Sequence, residues 1–324
     1  MQLFRYAAEL PLCLLLSSSL QSLELRSNSQ PHLLLHSIVE SSPYLRNLHL
    51  RLQWTAATFS LLPITGLIYL RDLSIFLDYD NTGFDCTKLQ AMAALKELET
   101  LSIRGMFKGE PKSCCSFAKL RELRIDVSLF GSCRSIKSYL GAISAPHLRK
   151  LAITICSDLQ DVEGVHDCMT AIYGPSLCEF QFSSFGVFRN SPFIARILAL
   201  FGPLLRIRNV VHVCLDCNVQ LSFSDDDAKA MATAWPGLKR FHVDTQFKST
   251  ATLPSALTLA HFARGCPVLE DLELQCMRMD NITSPEMLPV QSHPLRMLSI
   301  ENLPGGHYRI LQERCRCWTP CSPV

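Results

Sequence analysis

The stretch Leu45-Arg-Asn-Leu48-His-Leu50 carries apolar residues at its first, fourth and sixth positions, and this pattern recurs along the whole 324-residue chain. Ten further copies bring the total to eleven, and their first apolar positions lie 22 to 33 residues apart. The copies begin at Leu20, Leu45, Leu70, Leu98, Leu120, Leu148, Leu177, Val210, Leu238, Leu269 and Leu295. A single copy could occur on any amphipathic helix, but eleven regularly spaced copies indicate a repeat protein.

The end of each copy alternates between apolar and other residues, which is typical of a strand with one buried face. A lone strand of this kind cannot bury its apolar side, whereas stacked neighbours can. The copies are therefore expected to form one parallel sheet in a solenoid. Because strands pack closer together than helices, the sheet should line the concave side and the helices the convex side.

The segments between the copies have the apolar spacing of helices, which parallel strands need as crossover connections. The predicted helices are residues 29–39, 87–98, 134–143, 162–173, 192–205, 225–234 and 254–263. Thr87 is the predicted N-cap of the second helix. Gly265 follows the last helix, where a glycine suits a left-handed C-terminal cap.

Composition excludes several classes of protein. Hydrophobic residues make up 48% of the chain and charged residues 19%, so the chain can fold around a large core and is not disordered. The net charge of +2 predicts no general attraction to nucleic acid or to anionic membranes. No stretch reaches the roughly 18 consecutive apolar residues of a membrane span. The sequence therefore predicts neither a nucleic-acid partner nor a membrane protein.

Three domains or segments follow from the repeat. Residues 1–19 are interpreted as an N-terminal capping segment, although Leu10–Leu16 also resembles the apolar part of a secretory signal peptide. Glu9 breaks that apolar stretch, which favours the capping interpretation. Residues 20–303 form the predicted solenoid, and residues 304–324 form a Cys-rich tail that matches no repeat unit.

The 15 cysteines are odd in number and irregularly spaced, whereas secreted disulfide scaffolds have an even and regular set. Most are interpreted as reduced, buried side chains, which predicts a cytoplasmic or nuclear location. Cys214 and Cys217 lie in a predicted strand, where their thiols would point to opposite faces. Asp225–Asp227 precedes a predicted helix, whose N-terminus favours acidic residues without any cation. We therefore expect neither a metal nor a cofactor.

No glycine-rich phosphate loop, nucleophile elbow or zinc-protease motif is present, so the sequence predicts no enzyme. An enzyme needs clustered groups in a pocket. The strand histidines, His49, His212 and His242, are assigned to distant units and interpreted as surface residues. A doubly wound α/β enzyme is the alternative, but it would need longer apolar strands and a Gly-rich phosphate turn.

Three stretches resemble a known family. They are Ala145-Pro-His-Leu-Arg-Lys-Leu151, Asp225-Asp-Asp-Ala-Lys-Ala-Met-Ala-Thr-Ala-Trp-Pro-Gly-Leu238 and Leu257-Thr-Leu-Ala-His-Phe-Ala-Arg-Gly-Cys-Pro-Val-Leu-Glu-Asp-Leu272. Together with the repeat, they make the chain similar to the F-box-associated leucine-rich-repeat proteins of basidiomycete fungi. In that family similar sequence motifs lie where a helix ends and the next strand begins. The resemblance implies an α/β leucine-rich-repeat solenoid, or horseshoe.

The same resemblance implies a function. The family usually begins with an F-box, which docks onto the Skp-type adaptor of a cullin ubiquitin ligase, and the repeats then recognise the substrate. No F-box pattern precedes the first copy, so a Skp-type adaptor is expected only if an upstream F-box exists. The chain is therefore expected to be a non-catalytic, monomeric protein-interaction scaffold. A secreted or cell-surface leucine-rich-repeat recognition protein is the alternative.

The register of the copies also predicts which side chains face a partner. In each copy the second, fourth and sixth residues after the first apolar position point away from the core. The charged residues of this face that we predict to bind a partner are Arg51, Arg104, Glu122, Arg124, Arg240, Asp244, Asp271 and Glu273. The first four units carry a small positive charge on this face and the last four a negative one, so a partner should present Lys or Arg there.

Overall fold

The computed structural model describes residues 16–27, 31–52, 60–77, 83–111, 113–127, 133–155, 162–172, 174–185, 195–217, 221–245, 252–278 and 293–302. Most of the predicted capping segment and all of the predicted tail, residues 304–324, lie outside these ranges.

Eleven strands of six residues each form one parallel sheet, and their order in the sheet is their order in the chain. The strands are β1 Ser22–Ser27, β2 Asn47–Leu52, β3 Asp72–Leu77, β4 Thr100–Gly105, β5 Glu122–Val127, β6 Lys150–Ile155, β7 Glu179–Ser184, β8 His212–Cys217, β9 Arg240–Thr245, β10 Asp271–Cys276 and β11 Met297–Asn302. Every copy of the apolar pattern thus forms a strand. This order confirms the predicted leucine-rich-repeat solenoid, because a doubly wound sheet would have its strands reordered.

Equivalent residues of successive copies lie side by side across the sheet. Leu48 of β2 is next to Leu73 of β3, and Leu123 of β5 is next to Leu151 of β6. These leucines are buried, and they form the wall of a core between the sheet and the helices. Each buried side chain of this size stabilises the fold by roughly 1.5–3 kcal/mol relative to exposure.

Seven α-helices of the described ranges lie between the strands. They are α1 Pro31–Ser41, α2 Cys86–Ala93, α3 Cys133–Ala142, α4 Val162–Ala171, α5 Ile197–Phe201, α6 Asp225–Ala234 and α7 Ala256–Gly265. The helix predicted at residues 225–234 is confirmed at both ends. The helix predicted at residues 192–205 is shorter, because Ala195–Arg196 form a short strand before α5 and α5 gives way to a 3₁₀ helix at Gly202–Arg206 that contains Pro203. Residues 192–194 lie outside the described ranges. None of the described helices is long and apolar enough to cross a membrane.

Two predictions about helix ends are wrong. The N-cap of α2 is Asp85 rather than Thr87, since the Asp85 carboxylate accepts the backbone N–H of Lys88 at 2.9 Å. The Thr87 hydroxyl instead donates to Asp85 at 2.6 Å. Gly265 ends α7 without a left-handed backbone. A Cβ atom there would lie 2.7 Å from the Cβ of Ala232, so the close approach of α6 and α7 requires the glycine.

Candidate functional site

Three columns of side chains cross the open face, which is the side of the sheet opposite the helices. The first column consists of Ser22, Asn47, Asp72, Thr100, Glu122, Lys150, Glu179, His212, Arg240, Asp271 and Met297. The middle column consists of Glu24, His49, Ser74, Ser102, Arg124, Ala152, Gln181, Cys214, His242, Glu273 and Ser299. The last column consists of Arg26, Arg51, Phe76, Arg104, Asp126, Thr154, Ser183, Asp216, Asp244 and Gln275.

The eight residues predicted to bind a partner all belong to these columns. Glu122, Arg240 and Asp271 are in the first column, and Arg124 and Glu273 are in the middle one. The last column contains Arg51, Arg104 and Asp244. Phe76 lies between Arg51 and Arg104, which separates the two arginines by one strand. The other six come together in pairs or groups with charged neighbours.

A row of ion pairs crosses the first column. Lys150 lies between Glu122 and Glu179, with Nζ 3.5 Å from the first carboxylate and 4.0 Å from the second. Glu122 also accepts the Nε–H of Arg124 at 2.6 Å. Since opposite charges alternate from strand to strand, this middle part of the open face is largely neutralised within the protein.

A second ion pair joins the last strands. The Nε atom of Arg240 on β9 lies 3.0 Å from a carboxylate oxygen of Asp271 on β10. The negative charge of Asp271 is therefore neutralised by Arg240. The predicted negative charge of the C-terminal units must come from other residues of the open face.

That charge comes from Asp216 and Asp244, which lie side by side on β8 and β9. Burial raises the pKa of Asp216, and the neighbouring Asp244 carboxylate raises it further. Burial likewise raises the pKa of Asp244, with Glu273 adding to the effect and His242 opposing it. Neither aspartate forms a salt bridge with a residue of the described ranges. Within the described ranges, these two aspartates form the pair of adjacent carboxylates on the open face that has no ion-pair partner.

His242 lies beside this pair and is hydrogen-bonded to Glu273. Its Nδ1 atom is 2.7 Å from the Glu273 carboxylate. Burial lowers the pKa of His242, but the hydrogen bond and the charges of Glu273, Asp244 and Asp216 outweigh it, so that the net pKa is raised. The histidine therefore favours its protonated form and cancels one of the three carboxylates.

The interpretation of the histidines needs correction. His212 and His242 lie on neighbouring strands, and each of them contacts a carboxylate of an adjacent strand. His49 similarly lies 3.9 Å from Asp72. Comparing copies in pairs across the sheet, rather than reading along each copy, would have identified these contacts, because facing residues of adjacent strands are neighbours.

Cys214 lies close to the carboxylates of Asp216, Glu273 and Asp244, but its thiol is not reactive. Burial, followed by the charges of Asp216, Glu273 and Asp244, raises the pKa of its thiol to about 12. The thiol is therefore protonated at neutral pH and is a poor nucleophile and metal ligand. Cys217 is buried on the other side of the strand, which confirms the predicted orientation. No group of metal-ligating side chains occurs in the ranges that the structure describes.

The run Asp225–Asp227 begins α6, as predicted from its position before a helix. Ser224 and Asp227 form a reciprocal capping box. The buried Asp227 carboxylate also lies 2.8 Å from the Nε atom of Arg196. Asp225 accepts hydrogen bonds from Ser255 and Thr258 of the next unit. Two of the three carboxylates thus hold adjacent units together, which is a structural role.

Comparisons with known proteins add little to this picture. No protein-family model matches the chain, and no curated protein matches it. Among solved structures, the chain is similar to an internalin from Listeria monocytogenes strain 4b F2365. The similarity has 12% sequence identity and a TM-score of 0.42, and it covers 88% of this chain and 82% of the internalin chain. At this level it carries no inference about function.

Proposed function

We propose that this leucine-rich-repeat protein is a non-catalytic scaffold that binds a basic segment of a partner protein on the C-terminal half of its open face. The observation that carries the proposal is the adjacent pair Asp216 and Asp244, two carboxylates that lie side by side and form no salt bridge within the described ranges, whereas the neighbouring Asp271 and Glu273 are paired. A cationic side chain placed between the two carboxylates would relieve their repulsion. This gain is available only when a partner binds.

The surroundings of the pair suit the binding of Lys or Arg. The carboxylates are half-buried, so their charges are screened less by salt than charges on an open surface. Glu273 and His242 stand next to them as a compensated pair, which leaves the local charge negative. A curved wall that carries one sign of charge also raises the rate at which oppositely charged partners associate.

The finer form of the proposal is substrate recognition for a cullin-type ubiquitin ligase in the cytoplasm or nucleus. The resemblance of residues 145–151, 225–238 and 257–272 to F-box-associated repeat proteins supports it. In this form the open face holds the substrate, and a Skp-type adaptor joins through an F-box.

A charge-neutralising variant tests the proposal that the open face binds a basic segment of a partner. The probe is a fluorescein-labelled oligolysine peptide, and its association rate with the full chain is measured by stopped flow at low and high salt. Asp216→Asn/Asp244→Asn should slow association by about tenfold at low salt and flatten its salt dependence. The matched control is Glu40→Gln/Glu110→Gln, which removes the same charge from exposed residues elsewhere. Equal losses in both variants, or no loss in either, would overturn the proposed site.

A pull-down with recombinant Skp-type adaptor, which uses the chain together with any in-frame sequence encoded upstream of Met1, tests the ligase role separately from the scaffold role. Binding of the adaptor to that extended chain supports the ligase role. If the adaptor fails to bind while oligolysine still depends on Asp216 and Asp244, the ligase role is rejected and the scaffold role stands.

A further inference from the structure

A second charged surface lies where the chain turns into each strand. In a parallel sheet the amino-terminal ends of all strands share one edge. Here the residue that precedes each strand donates its backbone N–H to the carbonyl of the equivalent residue one strand earlier. The four hydrogen bonds, each 2.8 Å long, run from Arg71 to Arg46, from Glu99 to Arg71, from Arg121 to Glu99 and from Arg149 to Arg121. The side chains at this edge are therefore held in register, one strand apart, in front of β2 to β6. We call this surface the turn edge.

The turn edge is strongly basic, although the whole chain has a net charge of only +2. Its six basic residues are Arg46, Arg71, Lys96, Lys119, Arg121 and Arg149. Its two acidic residues are already neutralised, since Glu97 contacts Lys119 at 2.7 Å and Glu99 lies 3.7 Å from Arg71.

The other four basic residues of the turn edge carry the excess charge. Arg46, Lys96, Arg121 and Arg149 are exposed, and none of them forms a salt bridge within the described ranges. Like charges held side by side repel one another, so this arrangement favours an anionic occupant.

Exposed apolar side chains lie at one end of the same edge. Tyr44, Ile68 and Tyr69 occupy the turns before β2 and β3, and they are 55%, 59% and 47% exposed. The rings of Tyr44 and Tyr69 contact each other, with their centroids 5.5 Å apart. Tyrosine and arginine are the residues that most often dominate binding energy in protein interfaces. The edge therefore combines an apolar anchor point with a row of cations.

We propose that the turn edge of these five units binds an extended acidic segment of a partner protein, with an apolar side chain of that segment seated on Tyr44 and Tyr69. The five strands span about 19 Å, which an extended segment of about six residues would cover. The surface is separate from the open face, so this proposal does not depend on the basic-partner site.

A polypeptide fits the edge better than a nucleic acid or a lipid surface does. Glu97 and Glu99 interrupt the row of cations between Arg71 and Arg121, and they use Lys119 and Arg71 as partners, so the edge offers no unbroken line of free cations to a row of phosphates. A peptide can place a neutral residue opposite them and its own carboxylates opposite the arginines. Side chains of a peptide can also contact Ile68 and the tyrosines.

Fluorescence anisotropy with two labelled probes tests the proposal. The probes are a random Glu–Tyr copolymer and a polyglutamate of equal length, each titrated with the full chain. Arg121→Glu/Arg149→Glu should weaken binding of the copolymer by at least about tenfold. The matched control, Lys229→Glu/Arg264→Glu, makes the same change of charge on exposed residues of α6 and α7 and should change binding by less than about twofold.

A separate variant tests whether an apolar side chain of the partner contacts Tyr44 and Tyr69. Tyr44→Ser/Tyr69→Ser should weaken binding of the copolymer but leave binding of polyglutamate unchanged, while circular dichroism confirms that the variant is folded. If Arg121→Glu/Arg149→Glu and the control Lys229→Glu/Arg264→Glu weaken copolymer binding equally, the turn edge is not the binding site. Tighter binding of a short DNA duplex or of phosphatidylserine vesicles than of the copolymer would overturn the class of partner.

Discussion

Leu123 and Arg124 are adjacent in sequence and lie in opposite environments. Leu123 is buried in the core, whereas the side chain of Arg124 is 49% exposed on the open face beside Glu122. Leu123→Ala should lower the free energy of unfolding by about 2–5 kcal/mol, because truncation of a buried leucine leaves a cavity. Arg124→Ala should change it by about 0.5 kcal/mol or less, since exposed ion pairs contribute little. Equal costs in denaturant titrations would show that the register is wrong.

Asp244 should make the folded protein less stable at neutral pH than an uncharged residue would. A raised pKa means that the folded state holds its proton more tightly than the unfolded chain. Stability therefore falls as pH rises through the interval between the ordinary carboxyl pKa and the raised one. Asp244→Asn should stabilise the protein by about 0.5–1 kcal/mol at pH 7, and the gain should vanish below the ordinary carboxyl pKa.

The control for this prediction is Asp271→Asn, because Asp271 has a cationic partner in Arg240. Removing its charge should give no stabilisation at pH 7. Thermal unfolding of both variants from acid to neutral pH measures the difference. A gain for Asp244→Asn that persists unchanged at acid pH would contradict an electrostatic cause.

Some of the open face could be predicted from the sequence and some could not. The alternation within one copy places Asp244 and Glu273 on that face without any knowledge of the other copies. The contact of Glu273 with His242, and that of Asp244 with Asp216, depend on which residues of different units face each other. Aligning the copies gives that register, but it does not show which of the facing side chains form ion pairs, because this depends on side-chain conformation.

At the scale of elements, the helices α6 and α7 approach each other through Gly265. A Cβ atom at this position would lie 2.9 Å from the backbone carbonyl of Ala232. Gly265→Ala should therefore force the helices apart and lower the free energy of unfolding by about 1–3 kcal/mol, as overpacking does. Denaturant titration at constant pH measures this change.

Gly141 provides the matched control, because it lies within α3 and a Cβ atom there would meet no atom within 4 Å. Gly141→Ala should stabilise the protein by about 0.5–1 kcal/mol through helix propensity alone. Opposite signs for the two glycine variants are the expected result. Stabilisation by both would mean that α6 and α7 are not closely packed at Gly265.

The strands were easier to predict than the helices, for a physical reason. Each copy repeats the same apolar residues at its first, fourth and sixth positions, so eleven copies repeat one signal. Helix ends depend on local hydrogen bonds and close contacts that differ between units. Asp85 rather than Thr87 caps α2 because its carboxylate reaches the N–H of Lys88. Gly265 is the last residue of α7 and lies against Ala232 of α6, and this contact between two units is not visible in one copy.

At the scale of the whole molecule, each strand of the described ranges pairs with its neighbours in the sheet, two for each inner strand and one each for β1 and β11. The consequence is visible at the end of the sheet. Leu298 of β11 is 38% exposed, whereas its equivalents Leu272 of β10 and Leu48 of β2 are 1% and 0% exposed. The end unit therefore buries less apolar surface than units in the middle of the sheet.

Stability in such an array is approximately a sum over units and their interfaces, so the units with one neighbour should open first. Limited proteolysis of the full chain should cut near β1 and β11 before it cuts near β5 or β6. Mass spectrometry should then show fragments that shorten by about one unit at a time. Leu151→Ala, in the middle of the sheet, should add a new early cut there, whereas Leu298→Ala should leave the order unchanged. Two stable fragments from a single cut in the unmodified chain would mean that the eleven units form two independent bodies, because a continuous array has no interface weak enough to separate first.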